Sequence, residues 1–247
     1  MPRRRISRTA SWSHCSRFGA HGQLSFPAWA TDHRFAGDPQ ANQATAQTAY
    51  ADGATVLNTL PTIVTLALTS RCNAKVACVI CDRNTRPASA DADLDAQVIE
   101  AARPLLASAR YVMLHCGGEP LLSPLFGAVT SLTAAPTVVG FATNAMLLTK
   151  AMARAILARQ TDTQFIVSLD ASTPAVYRIM RPSFDFRTVT RNVTEYLKMA
   201  KRQGRSNNLV ILNMTVCETN LEDVPGLVDL AVKMGASGVK YNHLNPG

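Results

Sequence analysis

The strongest constraint on the fold is an alternation of short apolar runs with helical patterns, which extends from about residue 60 to residue 244. The runs are rich in Val, Ile, Leu and Thr. Such runs predict strands that are covered on both faces, as in a parallel sheet with helices packed against it. The six predicted strands are residues 62–69, 110–116, 137–143, 164–170, 208–216 and 238–244.

Apolar residues at helical spacing separate these strands. The predicted helices are residues 91–109, 122–132, 150–160, 186–203 and 221–235. Regular alternation of strand and helix is typical of α/β proteins with parallel strands. Six such units fit a doubly wound sheet or a barrel, complete or partial, and periodicity alone does not separate the two architectures.

Polar residues and glycines follow several of the predicted strands directly. Parallel α/β proteins place their functional sites at the carboxyl ends of the strands. We therefore expect these residues to meet on one rim of the sheet. They are Cys72, Gly117, Gly118, Glu119, Thr143, Asn144, Ser168 and Asp170.

Residues 1–55 are predicted to be a basic extension that precedes a domain at residues 56–247. Residues 1–36 contain six arginines and one acid, Asp32, and so carry most of the net charge of +8. Their composition resembles an organelle transit peptide, but it favours a disordered extension or a wrongly chosen start. Because the charge lies outside the predicted domain, nucleic acid is not an expected partner. No apolar run is long enough to span a bilayer, so a membrane is not expected either.

Three of the six cysteines fall in the segment CNAKVACVIC at residues 72–81, with the spacing C-x5-C-x2-C. Six cysteines are too few for a disulfide scaffold, and a cluster of thiols suits a metal site in a reducing compartment such as the cytoplasm. The thiols could simply pack in the core, bind zinc with His115 or Cys116 as a fourth ligand, or hold an iron–sulfur cluster. With three thiolates, one iron of a cluster keeps an open coordination position.

A second motif, HCGGEP at residues 115–120, favours the cluster. Two glycines after a strand let the backbone approach a ligand closely, and the carboxylate of Glu119 suits an ammonium group. Together with TSRCN at 69–73, TNA at 143–145 and SLDAST at 168–173, these motifs resemble the radical S-adenosylmethionine (radical SAM) superfamily. The sequence is most similar to the branch that carries a C-terminal SPASM or twitch domain. The resemblance implies a partial (β/α)6 TIM-like barrel.

The resemblance also implies a role for each motif residue. The implied ligands of a [4Fe–4S] cluster are Cys72, Cys78 and Cys81. The implied contacts of S-adenosylmethionine are Gly117, Gly118 and Glu119 for the methionine amino group, Arg181 for its carboxylate, Ser168 with Thr143 or Asp170 for the ribose, and the Ile80 backbone for the adenine.

The implied reaction is reductive cleavage of S-adenosylmethionine, followed by hydrogen abstraction from an unidentified peptide, sugar or small metabolite. The electron would come from a donor such as flavodoxin or ferredoxin. Two features depart from the family pattern. The usual cysteine spacing is C-x3-C-x2-C, and the chain ends directly after the sixth predicted strand, which suggests that the C-terminal auxiliary domain is absent. A degenerate barrel without turnover and a zinc-binding α/β protein therefore remain as alternatives.

Overall fold

The computed structural model describes residues 38–84, 91–115, 117–133, 135–159, 161–205 and 208–244. Within these ranges all six predicted strands form, and they make one parallel sheet. The strands are β1 (Ile63–Leu66), β2 (Tyr111–Leu114), β3 (Val138–Thr143), β4 (Asp162–Ser168), β5 (Leu209–Val216) and β6 (Gly238–His243). The predicted α/β class is confirmed.

The order of the strands decides between the two predicted architectures. A doubly wound sheet reverses its strand order at a switch point. Here each strand pairs with the next strand along the chain, from β1 to β6, so the winding never reverses. This order is that of a barrel that has been left open, with β1 and β6 as the edges of the described sheet.

Eight α-helices lie in the described ranges: α1 (Pro39–Ala51), α2 (Ala96–Ala101), α3 (Arg103–Ser108), α4 (Phe126–Ser131), α5 (Lys150–Leu157), α6 (Pro174–Met180), α7 (Phe186–Arg202) and α8 (Val224–Met234). The helix predicted at 91–109 is instead split into α2 and α3. Pro104 lies in the first turn of α3, where its missing amide hydrogen prevents a continuous helix.

Helix α6 was not predicted. Its start signal is present in the sequence, because the Thr173 hydroxyl accepts a hydrogen bond from the backbone N–H of Val176 and Pro174 follows at the first helical position. The helix is short, and Arg181 is the residue that ends it. Arg181, the implied contact of the methionine carboxylate, therefore lies at a helix terminus.

Helix α1 lies in the segment that was predicted to be a disordered extension, and for residues 39–51 that prediction was wrong. The side chain of Asn42 is fully buried and donates to the carbonyls of Leu60 and Ser108, at 3.0 and 3.1 Å, while it accepts from the Leu60 amide at 3.0 Å. Leu60 and Ser108 precede β1 and β2, so α1 is fixed to the amino end of the sheet. Residues 1–37 lie outside the described residues.

The two faces of the sheet differ in burial. Residues that point toward the helices form the core, and Val112, Leu114, Phe141, Phe165 and Leu212 are all at most 1% exposed. The rings of Phe126, Phe141, Phe165 and Tyr196 follow one another with centroids 4.8–5.3 Å apart. The alternate residues of the strands are mostly half-buried or exposed, and we call this surface the inner face. It includes Met113, His115, Ile166, Ile211, Lys240 and Asn242.

Among the described residues, no helix combines the length and the apolar character that a membrane span requires.

We expect Asn42→Ala to lower the free energy of unfolding by about 2–3 kcal/mol, because it removes three buried hydrogen bonds to the backbone of Leu60 and Ser108. Urea unfolding followed by circular dichroism measures this change. Gln47→Ala is the matched control, since Gln47 is exposed on the same helix, and its effect should stay within about 0.5 kcal/mol. Equal effects of the two substitutions would show that α1 does not stabilise the barrel.

Candidate functional site

The cysteine loop starts at the carboxyl end of β1, where several contacts fix its backbone. The Arg71 guanidinium binds the Asp93 carboxylate through Nε and Nη2, at 3.0 and 2.6 Å. Thr69 and Asp93 also form an isolated antiparallel bridge. The loop therefore leaves the strand in a defined direction before Cys72.

The segment between Cys72 and Cys78 is two residues longer than in the usual C-x3-C spacing. A residue outside the loop binds this longer segment. The Ser183 hydroxyl accepts from the Val76 amide at 2.7 Å and donates to the Val76 carbonyl at 2.9 Å. A second contact runs from the Val79 amide to the Met180 carbonyl at 3.0 Å. The longer loop thus packs against the end of α6 and keeps an ordered path.

The three cysteines of the loop carry free thiols. Cys78 is buried, and Cys72 and Cys81 are half-buried. Burial raises the pKa of the Cys78 thiol, Arg181 opposes this, and the neighbouring Cys81 and Cys72 raise it further. The three thiols thus lie on one loop of ten residues, and Cys78 is the most buried of them.

The donor set suits an iron–sulfur cluster, whose usual ligands are thiolates. Among the residues that the structure describes, no three His, Cys, Asp or Glu side chains are arranged to hold one metal ion. A [4Fe–4S] cluster binds each thiolate at a different iron, so its ligands stand farther apart than those of one zinc ion. Three thiols on one loop, with a cation beside them, suit such a cluster.

That cation is Arg181, which is almost completely buried and is bound from two sides. Its Nε donates to Asp170 Oδ2 at 2.8 Å and its Nη2 contacts the same carboxylate, while Nη1 lies 3.6 Å from the Cys78 sulfur. Burial lowers the pKa of Arg181, but Asp170 and Cys78 more than offset this and raise it above its ordinary value. Arg181 is therefore a buried, permanently charged group that faces a cysteine of the loop.

Asp170 is held in turn by β5 and by the segment that follows it. Its Oδ1 accepts from the Thr215 amide at 2.7 Å, and its carbonyl accepts from the Asn220 side chain at 2.9 Å. Its φ of 58° lies in the left-handed region, which Asp tolerates better than most residues. From this position the Asp170 carboxylate faces the Arg181 guanidinium.

Glu119 is also buried, at 2% exposed, and its carboxylate is used within the protein. It accepts hydrogen bonds from the Thr143 hydroxyl at 2.7 Å, the Asn144 amide at 2.8 Å and the Leu121 amide at 3.2 Å. Burial raises the pKa of this carboxyl, and these donors, together with Arg181, partly oppose the shift. Glu119 thus joins the turn after β2 to the end of β3, two places where the sequence predicted site residues.

The two glycines before Glu119 let this turn press against the cysteine loop. Gly117 has a φ of 69°. A Cβ on Gly118 would lie 2.2 Å from the Thr69 carbonyl oxygen and 2.6 Å from that of Arg71, which are backbone atoms that cannot move aside easily. The glycine pair is therefore a condition for contact between the two motifs.

Asn144 completes the site, although the sequence analysis predicted only that it lies on the rim after β3. Its side-chain amide donates to Asn73 Oδ1 at 2.7 Å and lies 3.8 Å from the Cys72 sulfur. Its backbone amide binds Glu119. The signal was the Thr-Asn-Ala segment that follows a strand, but only the structure shows that Asn144 contacts both other motifs.

The remaining predicted site residues take less central places. Ser168 is half-buried at the end of β4, where it pairs with Asn213 of β5. Ile80 lies in the turn between Cys78 and Cys81 and is half-buried. Cys116, a possible zinc ligand in the sequence analysis, lies outside the described residues.

The candidate site lies on the rim at the carboxyl ends of the strands, beside the inner face of the sheet. Two surface clefts of about 270 and 400 Å³ lie among the outer helices, and neither is lined by any of these residues.

Comparison with protein families decides what this arrangement is. The profile of the Radical SAM superfamily matches residues 66–231, which span the sheet from the end of β1 into α8. The chain belongs to the radical SAM superfamily. The family that the motifs predicted is confirmed, and its cofactors are a [4Fe–4S] cluster and S-adenosylmethionine. A search of curated proteins finds no match.

Solved structures show the same fold. Streptococcus suis SuiB bound to S-adenosylmethionine is 14% identical, with a TM-score of 0.59 over 83% of this chain and 45% of that one. SuiB bound to its precursor peptide SuiA is also 14% identical, with a TM-score of 0.57 over 82% and 44%. Native anSMEcpe with bound AdoMet and the Kp18Cys peptide is 16% identical, with a TM-score of 0.58 over 75% and 52%. The radical SAM chain spans about half the length of these structures, and the likeness confirms the partial barrel.

We expect Gly118→Ala to lower the free energy of unfolding by about 2 kcal/mol or more, because its methyl group would overlap two backbone carbonyls. Gly127→Ala is the matched control, since a Cβ at this helical position would meet no atom within 4 Å outside its chain neighbours and its own helix backbone. This substitution should stabilise the protein by about 0.5–1 kcal/mol. Thermal unfolding of the two variants measures both changes. A Gly118→Ala variant as stable as Gly127→Ala would contradict the close packing of the two motifs.

We expect Asp170→Asn to destabilise the protein by about 3–5 kcal/mol, since it leaves the Arg181 guanidinium buried without its counter-charge. Asn keeps the size of the side chain and tolerates the left-handed backbone, so the charge is the main change. Glu100→Gln removes an acid from the exposed pair with Arg103 and should change stability by less than about 1 kcal/mol. Urea unfolding at neutral pH compares the two variants, and similar midpoints would refute the importance of the buried pair.

Proposed function

We propose that this chain is a radical SAM enzyme that cleaves S-adenosylmethionine reductively and abstracts hydrogen from a substrate. The observation that carries the proposal is the convergence of three free thiols, a buried guanidinium and a Gly-Gly-Glu turn on one rim. These groups come from distant parts of the chain. A packing role alone does not require a full positive charge to be buried beside a cysteine.

Cys72, Cys78 and Cys81 would hold the cluster, which when bound supplies one electron to the sulfonium of S-adenosylmethionine. Burial is the main cause that raises the pKa of Cys78, and repulsion from the other two thiolates of the loop adds to it. The charge of Arg181 opposes this repulsion and favours the thiolate form of Cys78. Asp170 holds the guanidinium in that position. Asn144 donates toward Cys72 on the other side of the loop.

The residues around the loop would bind S-adenosylmethionine. Gly117 and Gly118 offer a backbone that approaches the loop closely. The Glu119 carboxyl would receive the methionine ammonium at Oε2, which accepts one hydrogen bond from the described residues, from the Asn144 amide, whereas Oε1 accepts two. Because Asp170 occupies Nε and Nη2 of Arg181, the Nη1 corner is the part that would serve the methionine carboxylate.

The hydrogen bonds that the candidate side chains already make indicate which residues would contact the ribose and the adenine. The Thr143 hydroxyl and the Asp170 carboxylate bind partners within the protein, so Ser168 is the better candidate for the ribose. The Ile80 backbone lies between two of the cysteines, where it would meet the adenine.

The substrate would bind on the inner face, next to the rim. SuiB has been crystallised with its precursor peptide SuiA and anSMEcpe with the Kp18Cys peptide, which supports a peptide as one substrate class alongside small molecules. We further propose that flavodoxin or ferredoxin supplies the electron and that the protein works in the reducing cytoplasm, where free thiols persist.

Anaerobic reconstitution with iron and sulfide tests the function. After reduction, we expect wild-type protein to hold about four irons per chain and to form 5′-deoxyadenosine from S-adenosylmethionine. Cys78→Ala should lose both the cluster and the product. Cys217→Ala is the matched control, because that free thiol lies after β5, where it contacts Met180, outside the loop. It should keep both properties.

The other outcomes are equally informative. An intact cluster that forms no 5′-deoxyadenosine would refute the enzyme and indicate a barrel without turnover. Bound zinc in place of iron would refute the cluster and favour a zinc-binding protein.

A further inference from the structure

We infer that the inner face carries a binding site for an anionic oxygen group of the substrate, a carboxylate or a phosphate, formed by Lys240, Asn242 and His115. The inference deepens the proposed function and rests on it, because it specifies which substrates the inner face would accept. Four observations on the strands support it.

The direction of the β6 side chains follows from their contacts. The Tyr241 hydroxyl donates to the Val224 carbonyl of α8 at 2.8 Å, so Tyr241 points toward the helices. Successive strand residues point to opposite faces, which places Lys240 and Asn242 on the inner face. Asn242 confirms this direction, because its amide donates to Asn213 Oδ1 of β5 at 2.7 Å.

His115 reaches the same space from the other side of the sheet. Val112 and Leu114 of β2 are fully buried against the helices, so the alternate residues Met113 and His115 belong to the inner face. Burial lowers the pKa of His115, and the positive charge of Lys240 lowers it further. Strands β2 and β6 are separated by three others, and the curvature of the partial barrel turns their inner faces toward each other.

Among the described residues, the positive charge of Lys240 on the inner face is not balanced by a nearby acidic side chain. Lys240 is exposed and forms no ion pair with the residues that the structure describes. The nearby acids at the rim, Asp170 and Glu119, are committed to other groups. Asp162 shares the inner-face alternation of β4, but it starts that strand, at the end away from Lys240.

The apolar residues near Lys240 indicate the chemical character of the rest of the ligand. Met113, Ile166 and Ile211 are half-buried apolar residues on the same face. A lysine ammonium offers three donors, and an anion beside a partly apolar surface makes a stronger hydrogen bond than it does in bulk water. The site therefore suits a substrate whose anionic group is attached to an apolar portion.

Calorimetric titration of the reconstituted protein with glutarate and with inorganic phosphate, at constant ionic strength, tests the inference. We expect saturable binding of at least one probe by the wild type and at least tenfold weaker binding by Lys240→Met. Lys233→Met is the matched control, since Lys233 is exposed in the last turn of α8 on the helical side, and its affinity should stay within twofold. Lys240→Arg, which keeps the charge, should retain binding.

The two probes separate the two sources of the anion. Tighter binding of glutarate indicates a carboxylate, and tighter binding of phosphate indicates a phosphate ester. Absence of saturable binding by the wild type, or equal loss in Lys240→Met and Lys233→Met, would overturn the inference. Iron analysis and 5′-deoxyadenosine formation by the same wild-type sample report on the proposed function separately, so failure of the anion site is distinguished from failure of the enzyme.

Discussion

The buried pair of Asp170 and Arg181 connects more parts of this protein than any other polar contact that we describe. Asp170 follows β4, takes its hydrogen bonds from β5 and the segment after it, and binds the guanidinium that ends α6. That guanidinium lies against Cys78 of the loop after β1. Two charges removed from water must satisfy each other with good geometry, so the four segments are constrained together. This one interaction therefore links the cysteine loop, the ends of two strands and the helix.

Much of the architecture could be predicted from the sequence because parallel strands that are covered by helices are nearly continuous apolar runs. All six strands were found, and the rim was placed correctly at their carboxyl ends. Periodicity fails where short-range signals compete with it. Pro104 divides a helix that the apolar spacing made continuous, and α6 is too short to show a period. Helix α1 has little apolar character, and it is fixed by the buried amide of Asn42, which no pattern in the sequence reveals.

The site was predictable as a set of residues but not as a set of contacts. Through their resemblance to the family, the motifs implied cluster or cofactor roles for Cys78, Glu119, Asp170 and Arg181. They could not show that Asp170 holds Arg181, or that Glu119 binds Thr143, because these pairs depend on how neighbouring strands align. The unusual cysteine spacing illustrates the same limit. The added length looks like a defect in sequence, yet Ser183 binds the Val76 backbone on both sides and gives the loop a fixed course.

The position of α1 has a consequence for how this protein can change over time. Its buried Asn42 binds the chain just before β1 and β2, at the amino end of the sheet, whereas the cysteine loop and the Gly-Gly-Glu turn lie at the carboxyl end. In parallel α/β barrels, residues at the amino ends of the strands mainly determine stability, and residues at the carboxyl ends carry the catalytic chemistry. Substitutions that accumulate around α1 therefore alter how much folded protein a cell maintains, while those on the opposite rim alter what each folded molecule does. The two properties can drift separately, since they are encoded at opposite ends of the same strands.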